Sequence, residues 1–200
     1  MTALHRTTRA LALSVTAGTA AVLLAASPAA AHTGNPAGGV VDGILHPLTG
    51  PDHLLAMLAV GVVAAMAASG RRVWVIPAAF LGGMVAGGVA GIAGVPLPGA
   101  ELLIVASVLV LGVTIAAAAV EGDARWLVAA LVVAGVAHGH AHGAEAPTSA
   151  HPLASVAGFL LATASLHATG LAVGSAIRTR RTMQVGVGAA TVAAGVLVFA

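Results

Sequence analysis

Apolar residues run through this chain in long stretches rather than at alternating or amphipathic spacing, and polar residues cluster in the gaps between them. Uninterrupted apolar runs of this kind predict membrane-spanning helices. They fall at residues 44–69, 73–93, 101–120, 126–142, 152–177 and 183–200. The breaks are short: Gly70-Arg71-Arg72, then residues 94–99, 121–125, 143–151 and 178–181. None is long enough for a soluble domain. The pattern predicts an all-α polytopic membrane protein with six transmembrane helices in one compact unit.

A further apolar run precedes these. Arg6 and Arg9 lead into residues 10–26, and Pro28-Ala29-Ala30-Ala31 supplies small residues around a cleavage point. This is the layout of a secretory signal peptide. The expectation is a cleavable signal at 1–31 and a membrane domain at 32–200. The mature chain then opens with His32 on the outer face, where its amine and ring could chelate together. With that start, the first, third and fifth breaks are cytoplasmic. The six remaining arginines (Arg71, Arg72, Arg125, Arg178, Arg180 and Arg181) all fall in those three breaks. That is the positive-inside distribution expected of a multi-pass plasma-membrane protein. Two glycine series, Gly83/Gly87/Gly91 and Gly170/Gly174, have the spacing of close helix contacts. Pro77 is expected to kink the second span.

Composition sharpens the picture. The chain has 200 residues, 59% hydrophobic and 7% charged, against about 25% charged in an ordinary soluble domain. It contains no Cys, which removes disulfide, thiolate-metal and thiol chemistry. A formal charge of +2 with no basic stripe excludes nucleic-acid binding. Lysine is absent, and with it any P-loop for nucleotide. Yet nine His remain. Ionisable groups kept at membrane depth usually mark a pathway or a site.

Two clusters stand out. In His46-Pro47-Leu48-Thr49-Gly50-Pro51-Asp52-His53 the prolines and glycine break the helix. His53 then lies near a helix start, Asp52 near its N-cap, and Met57 one turn on along the same face. In the run from His138 to Glu145, a continuing helix puts His138 and His142 on one face with Glu145 a turn further, while His140 points elsewhere. His167 sits alone in mid-span, and Glu101 and His151 read as peripheral. Imidazole with carboxylate suits Ni, Co, Zn or Cu and not Mg or Ca. The expected metal ligands are His46, Asp52, His53, His138, His142, Glu145 and His167, with His32, His140 and Met57 as secondary candidates.

These motifs resemble the HupE/UreJ family of nickel/cobalt transporters. The H-x5-D-H run followed by Leu54-Leu55-Ala56-Met57 is similar to the family's first signature, and the H-G-x-A-H-G-x-E run to its second. Leu166-His167 with Gly170 also fits, and the resemblance covers the whole mature chain. One departure is Ala137, where the family usually carries Phe before the histidine. The resemblance implies uptake of Ni²⁺, with Co²⁺ as a second cargo, and no tightly bound cofactor. The implied partners are the lipid bilayer and a divalent transition-metal ion, with no nucleic acid and no nucleotide. Self-association into a homo-oligomer is left open. Competing readings are a multi-span membrane zinc hydrolase and a metal-binding accessory subunit that transports nothing.

Overall fold

A computed structural model describes residues 39–118, 125–144 and 151–199. Among these the secondary structure is helical throughout, with no strand. The expected signal peptide, His32 and Glu145 lie outside the described residues.

The described residues form seven α-helices: α1 (Val40–Thr49), α2 (Pro51–Ala67), α3 (Val75–Ile92), α4 (Ala100–Ala117), α5 (Arg125–Ala144), α6 (Pro152–Ile177) and α7 (Arg181–Phe199). A 3-10 turn, Gly70–Trp74, leads into α3. Five of the helices, α3 to α7, are long and apolar enough to cross a membrane, and the bent pair α1–α2 makes a sixth if it counts as one span. The bend is 86°. Its cause is local. A residue before proline is pushed out of the helical region, and Gly50 is extended at φ −88°, ψ 110° ahead of Pro51. Pro51 then occupies the first turn of α2, where a missing N–H costs nothing. The sequence signals the break but not the ten-residue helix before it, which tolerates Pro47 inside it.

Pro77 corrects one expectation. It sits in the first turn of α3, so no bond of the helix interior is lost and it has no kink to make. The irregular backbone lies just before it, in the 3-10 turn.

Lipid supplies no hydrophobic drive between helices, so close approach has to come from small residues. Gly83, Gly87 and Gly91 of α3 face the carbonyls of Val132, Val136 and His140 on α5. In return Gly135, Gly139 and Gly143 of α5 face the carbonyls of Phe80, Met84 and Gly88. The two series interlock with both helices running the same way. A Cβ on Gly139 would collide with the Met84 backbone. The second series was equally visible in the sequence but is masked there by the three histidines it brackets. Gly61 of α2 meets Gly170 of α6 in the same manner, and Gly112 of α4 meets Gly188 of α7.

The alternation of helix directions collects Arg71, Arg72, Arg125, Arg178, Arg180 and Arg181 at one end of the bundle. Trp74 and Trp126 are exposed at that same end, as expected of residues at a membrane interface. The start of α2 and the end of α5 lie at the opposite end, and with them the histidines. Large apolar side chains such as Leu102, Val89 and Leu197 remain exposed on the helix flanks, as a lipid-facing surface requires.

Candidate metal site

Three separate elements bring four imidazoles together. His46 comes from α1, His53 from the first turn of α2, and His138 and His142 from successive turns of α5. The His53 ring centroid is 4.1 Å from that of His142, 5.5 Å from that of His138 and 6.4 Å from that of His46. His46 and His142 share a hydrogen bond of 2.8 Å between Nε2 and Nδ1. The break at Gly50 is what makes this possible: the 86° turn swings His46 back over the start of α2.

Hydrogen bonding fixes how two of the rings present themselves. The Nδ1–H of His53 donates to Asp52 Oδ1 at 3.0 Å. The Nδ1–H of His138 donates to the Ala134 carbonyl at 2.9 Å. A carbonyl can only accept, so Nδ1 of His138 carries the proton and its Nε2 keeps a lone pair. The carboxylate imposes the same tautomer on His53. An imidazole held at one nitrogen by an acceptor and offering the other is the usual arrangement of a metal-binding histidine. Asp52 therefore orients His53 as it stands. Gly50 leaves room for the pair, since a Cβ there would come within 2.9 Å of His53 Nδ1 and 3.1 Å of Asp52 Oδ1.

Among the described residues, the Nε2 atoms of His53, His138 and His142 are all buried without a hydrogen-bond partner. A buried polar atom left unpaired costs about 1–3 kcal/mol, so these three are the atoms a bound water or ion would satisfy. Among the described residues no group of three His, Asp or Glu side chains is arranged to hold a metal ion as it stands. The cluster is a set of donors that ring rotation, beginning with the His46–His142 bond, would have to close.

The remaining candidates are placed differently. His140 faces away, its Nε2–H donating at 2.6 Å to the carbonyl of Val95 in the α3–α4 connection. Helix α5 continues unbroken through Gly139 and Gly143, so the alternating His residues divide between two faces. Met57 is fully buried in the apolar core. His151 is exposed and caps α6 with its carbonyl, which accepts from the N–H groups of Ala154 and Ser155. Glu101 is exposed in the first turn of α4. His167 is fully buried, with its ring against Phe80 at 5.6 Å and not among the four clustered imidazoles.

Two phenyl rings that the sequence did not single out line the cluster. Phe159 of α6 packs on His142 at 4.8 Å and His46 at 6.0 Å, and Phe80 of α3 packs on His138 at 5.4 Å. Ala137, the departure from the expected motif, is fully buried. The spacing of Phe159, Thr163 and His167 at four-residue steps was the available signal. It stayed hidden because α6 is apolar nearly all round.

The family model described as "HupE / UreJ protein" matches residues 20–198. The chain belongs to the HupE/UreJ family. Among the relatives of this HupE/UreJ chain is "Protein HupE" of Rhizobium leguminosarum bv. viciae, 44% identical over 159 residues, which covers 78% of this chain and 81% of that one. No solved structure matches. The histidine cluster thus belongs to a HupE/UreJ membrane protein.

Proposed function

We propose that this chain carries Ni²⁺, and Co²⁺ as a second cargo, across the plasma membrane into the cell. The observation that carries the reading is the trio of buried, unpartnered Nε2 atoms on His53, His138 and His142. In this reading the leader is removed after Ala31, His32 begins the mature chain on the outer face, and the histidine end of the bundle is external. A dehydrated divalent ion replaces the missing partners of the three rings. His46 joins as its bond to His142 opens, and Asp52 and Glu145 supply negative charge. Asp52 holds the His53 ring in its donor tautomer throughout.

Transport needs binding firm enough to select and weak enough to release. Imidazole and carboxylate without thiolate meet that need for borderline ions. The chain acts as a carrier and not as an enzyme. With no Lys and no P-loop it has no nucleotide engine, and the membrane potential or a proton gradient supplies the drive. A cation moving inward down the potential gains about 2.3 kcal/mol per charge per 100 mV.

Proteoliposomes containing the purified chain alone test this. Radiolabelled Ni²⁺ should enter above the level of empty liposomes, excess Co²⁺ should compete, and collapsing the potential should slow entry. Entry no faster than into empty liposomes, for both ions, would overturn the reading.

A further inference from the structure

Beyond the outer cluster, α6 carries two polar residues whose groups nothing satisfies. Thr163 and His167 are both fully buried, one turn apart. Thr163 Oγ1 and both ring nitrogens of His167 lack a hydrogen-bond partner. Helical hydroxyls elsewhere in the chain bond to the carbonyl one turn back: Thr114 and Thr191 do so, and so do Ser165 and Thr169 on α6 itself. Thr163 does not take that default bond.

The two residues continue a stripe that begins in the outer site. Phe159, Thr163 and His167 follow at four-residue steps, so they share one slanted face of α6. Phe159 touches His46 and His142, and His167 touches Phe80, which in turn touches His138. Phe80 therefore links His167 to the outer cluster, and Phe159, one turn before Thr163 on the same helix, packs on that cluster directly. The backbone of His167 is level with Gly61 of α2, eight residues on from His53, or roughly 12 Å of helix. That separation fits a second ion position better than a distant ligand of the first.

We propose that Thr163 and His167 form an inner cation site, which the ion occupies after it leaves the outer cluster and passes Phe80. The inference rests on the metal-carrier reading above. One imidazole nitrogen and one hydroxyl, completed by water, make a weaker donor set than the outer histidines. Weak binding is what a transit position requires. The unpartnered hydroxyl and ring are the groups such an ion would satisfy.

Equilibrium dialysis of Ni²⁺ against the full-length protein in detergent tests the inner site apart from transport. The His53→Ala/His142→Ala double variant should still bind one Ni²⁺ per chain, and adding His167→Ala should abolish that binding. His167→Ala alone should leave the outer site at wild-type affinity. Thr163→Val, close to isosteric, should weaken the residual binding of the double variant about tenfold, the size of one lost polar contact. It also serves as the test if a His167 variant does not elute as a monodisperse species. The inner site is overturned if the double variant binds no Ni²⁺, or if its binding is indifferent to both His167→Ala and Thr163→Val. Loss of flux in wild-type liposomes with His167-dependent binding intact would instead remove the carrier reading and leave the site.

Discussion

The unpartnered polar atoms of the histidine cluster and of the Thr163–His167 pair are all buried, but the rings that carry them are held in opposite ways. In the outer cluster the Nδ1 atoms of His53 and His138 are pinned, by Asp52 and by the Ala134 carbonyl, so each ring offers Nε2 in a fixed direction. His167 is pinned at neither nitrogen. Pinning a ring raises its basicity and removes the entropy of aiming it, which favours selective capture. An unpinned ring can turn as an ion arrives and turn again as it leaves. The contrast teaches that histidine count alone says little about a metal pathway, and that what holds the other nitrogen says more.

The largest effect should come from breaking the pinned side. His53→Ala or His142→Ala should reduce Ni²⁺ uptake by more than about 100-fold, while the protein stays in the membrane fraction. Asp52→Asn keeps the shape but removes the charge that fixes His53, and should weaken Ni²⁺ binding about 10–100-fold. His151→Ala, at an exposed helix cap, should change uptake by less than about twofold. Whole-cell uptake of labelled Ni²⁺ with immunoblots of the membrane fraction measures all of these. Equal effects from His53→Ala and His151→Ala would end the distinction between a gathered site and scattered histidines.

A smaller effect, read as stability, concerns the frame that positions α5. Gly139→Ala places a methyl group against the Met84 backbone and should cost about 1–3 kcal/mol, since packed helices must separate to admit it. Gly82→Ala, one residue from the contact face of α3, meets nothing within 4 Å. It should be neutral or stabilising by up to about 1 kcal/mol through helix propensity. Thermal unfolding in detergent compares the two. If Gly82→Ala and Gly139→Ala lower the midpoint equally, the interlocked glycines do not set the α3–α5 distance.

Much of this was legible before any coordinates. Long apolar runs leave no choice but helices, and the six arginines fall on alternate breaks, which fixes the order of the spans. His46, Asp52 and His53 could be grouped because Gly50 and Pro51 force a break whose effect is confined to a few residues. The direction of that break was not legible: the 86° turn that brings His46 to His142 depends on where α1 finds packing, against Ser155 and Phe159 of α6. His140 shows the same limit from the other side. Its turning away followed from helix spacing, but its bond to Val95 joins residues 45 positions apart in the chain, which no local rule reaches. Phe80 and Phe159 were overlooked for a different reason. In a chain this apolar, a phenyl ring beside a pathway has the same sequence signature as one facing lipid.

Phe80 is where the two regions meet, and a severalfold effect there tests their connection. Its ring is fully buried and touches both His138 and His167, so the proposed route between them runs past it. Truncation to Ala would leave a cavity costing about 3–5 kcal/mol and confuse passage with unfolding, so Leu is the informative replacement. Phe80→Leu removes the flat ring and keeps most of the volume. It leaves the partners of His53 and His138 untouched, so Ni²⁺ affinity at the outer site should stay within about twofold of wild type. The rate of uptake at saturating Ni²⁺ should change severalfold, because the barrier between the sites is altered and the capture step is not. Phe159→Leu should do the converse, shifting the concentration for half-maximal uptake with less effect on the maximal rate, because Phe159 packs on His46 and His142. If both substitutions move the same kinetic parameter by the same amount, the phenyl rings are ordinary packing and the ion does not pass Phe80.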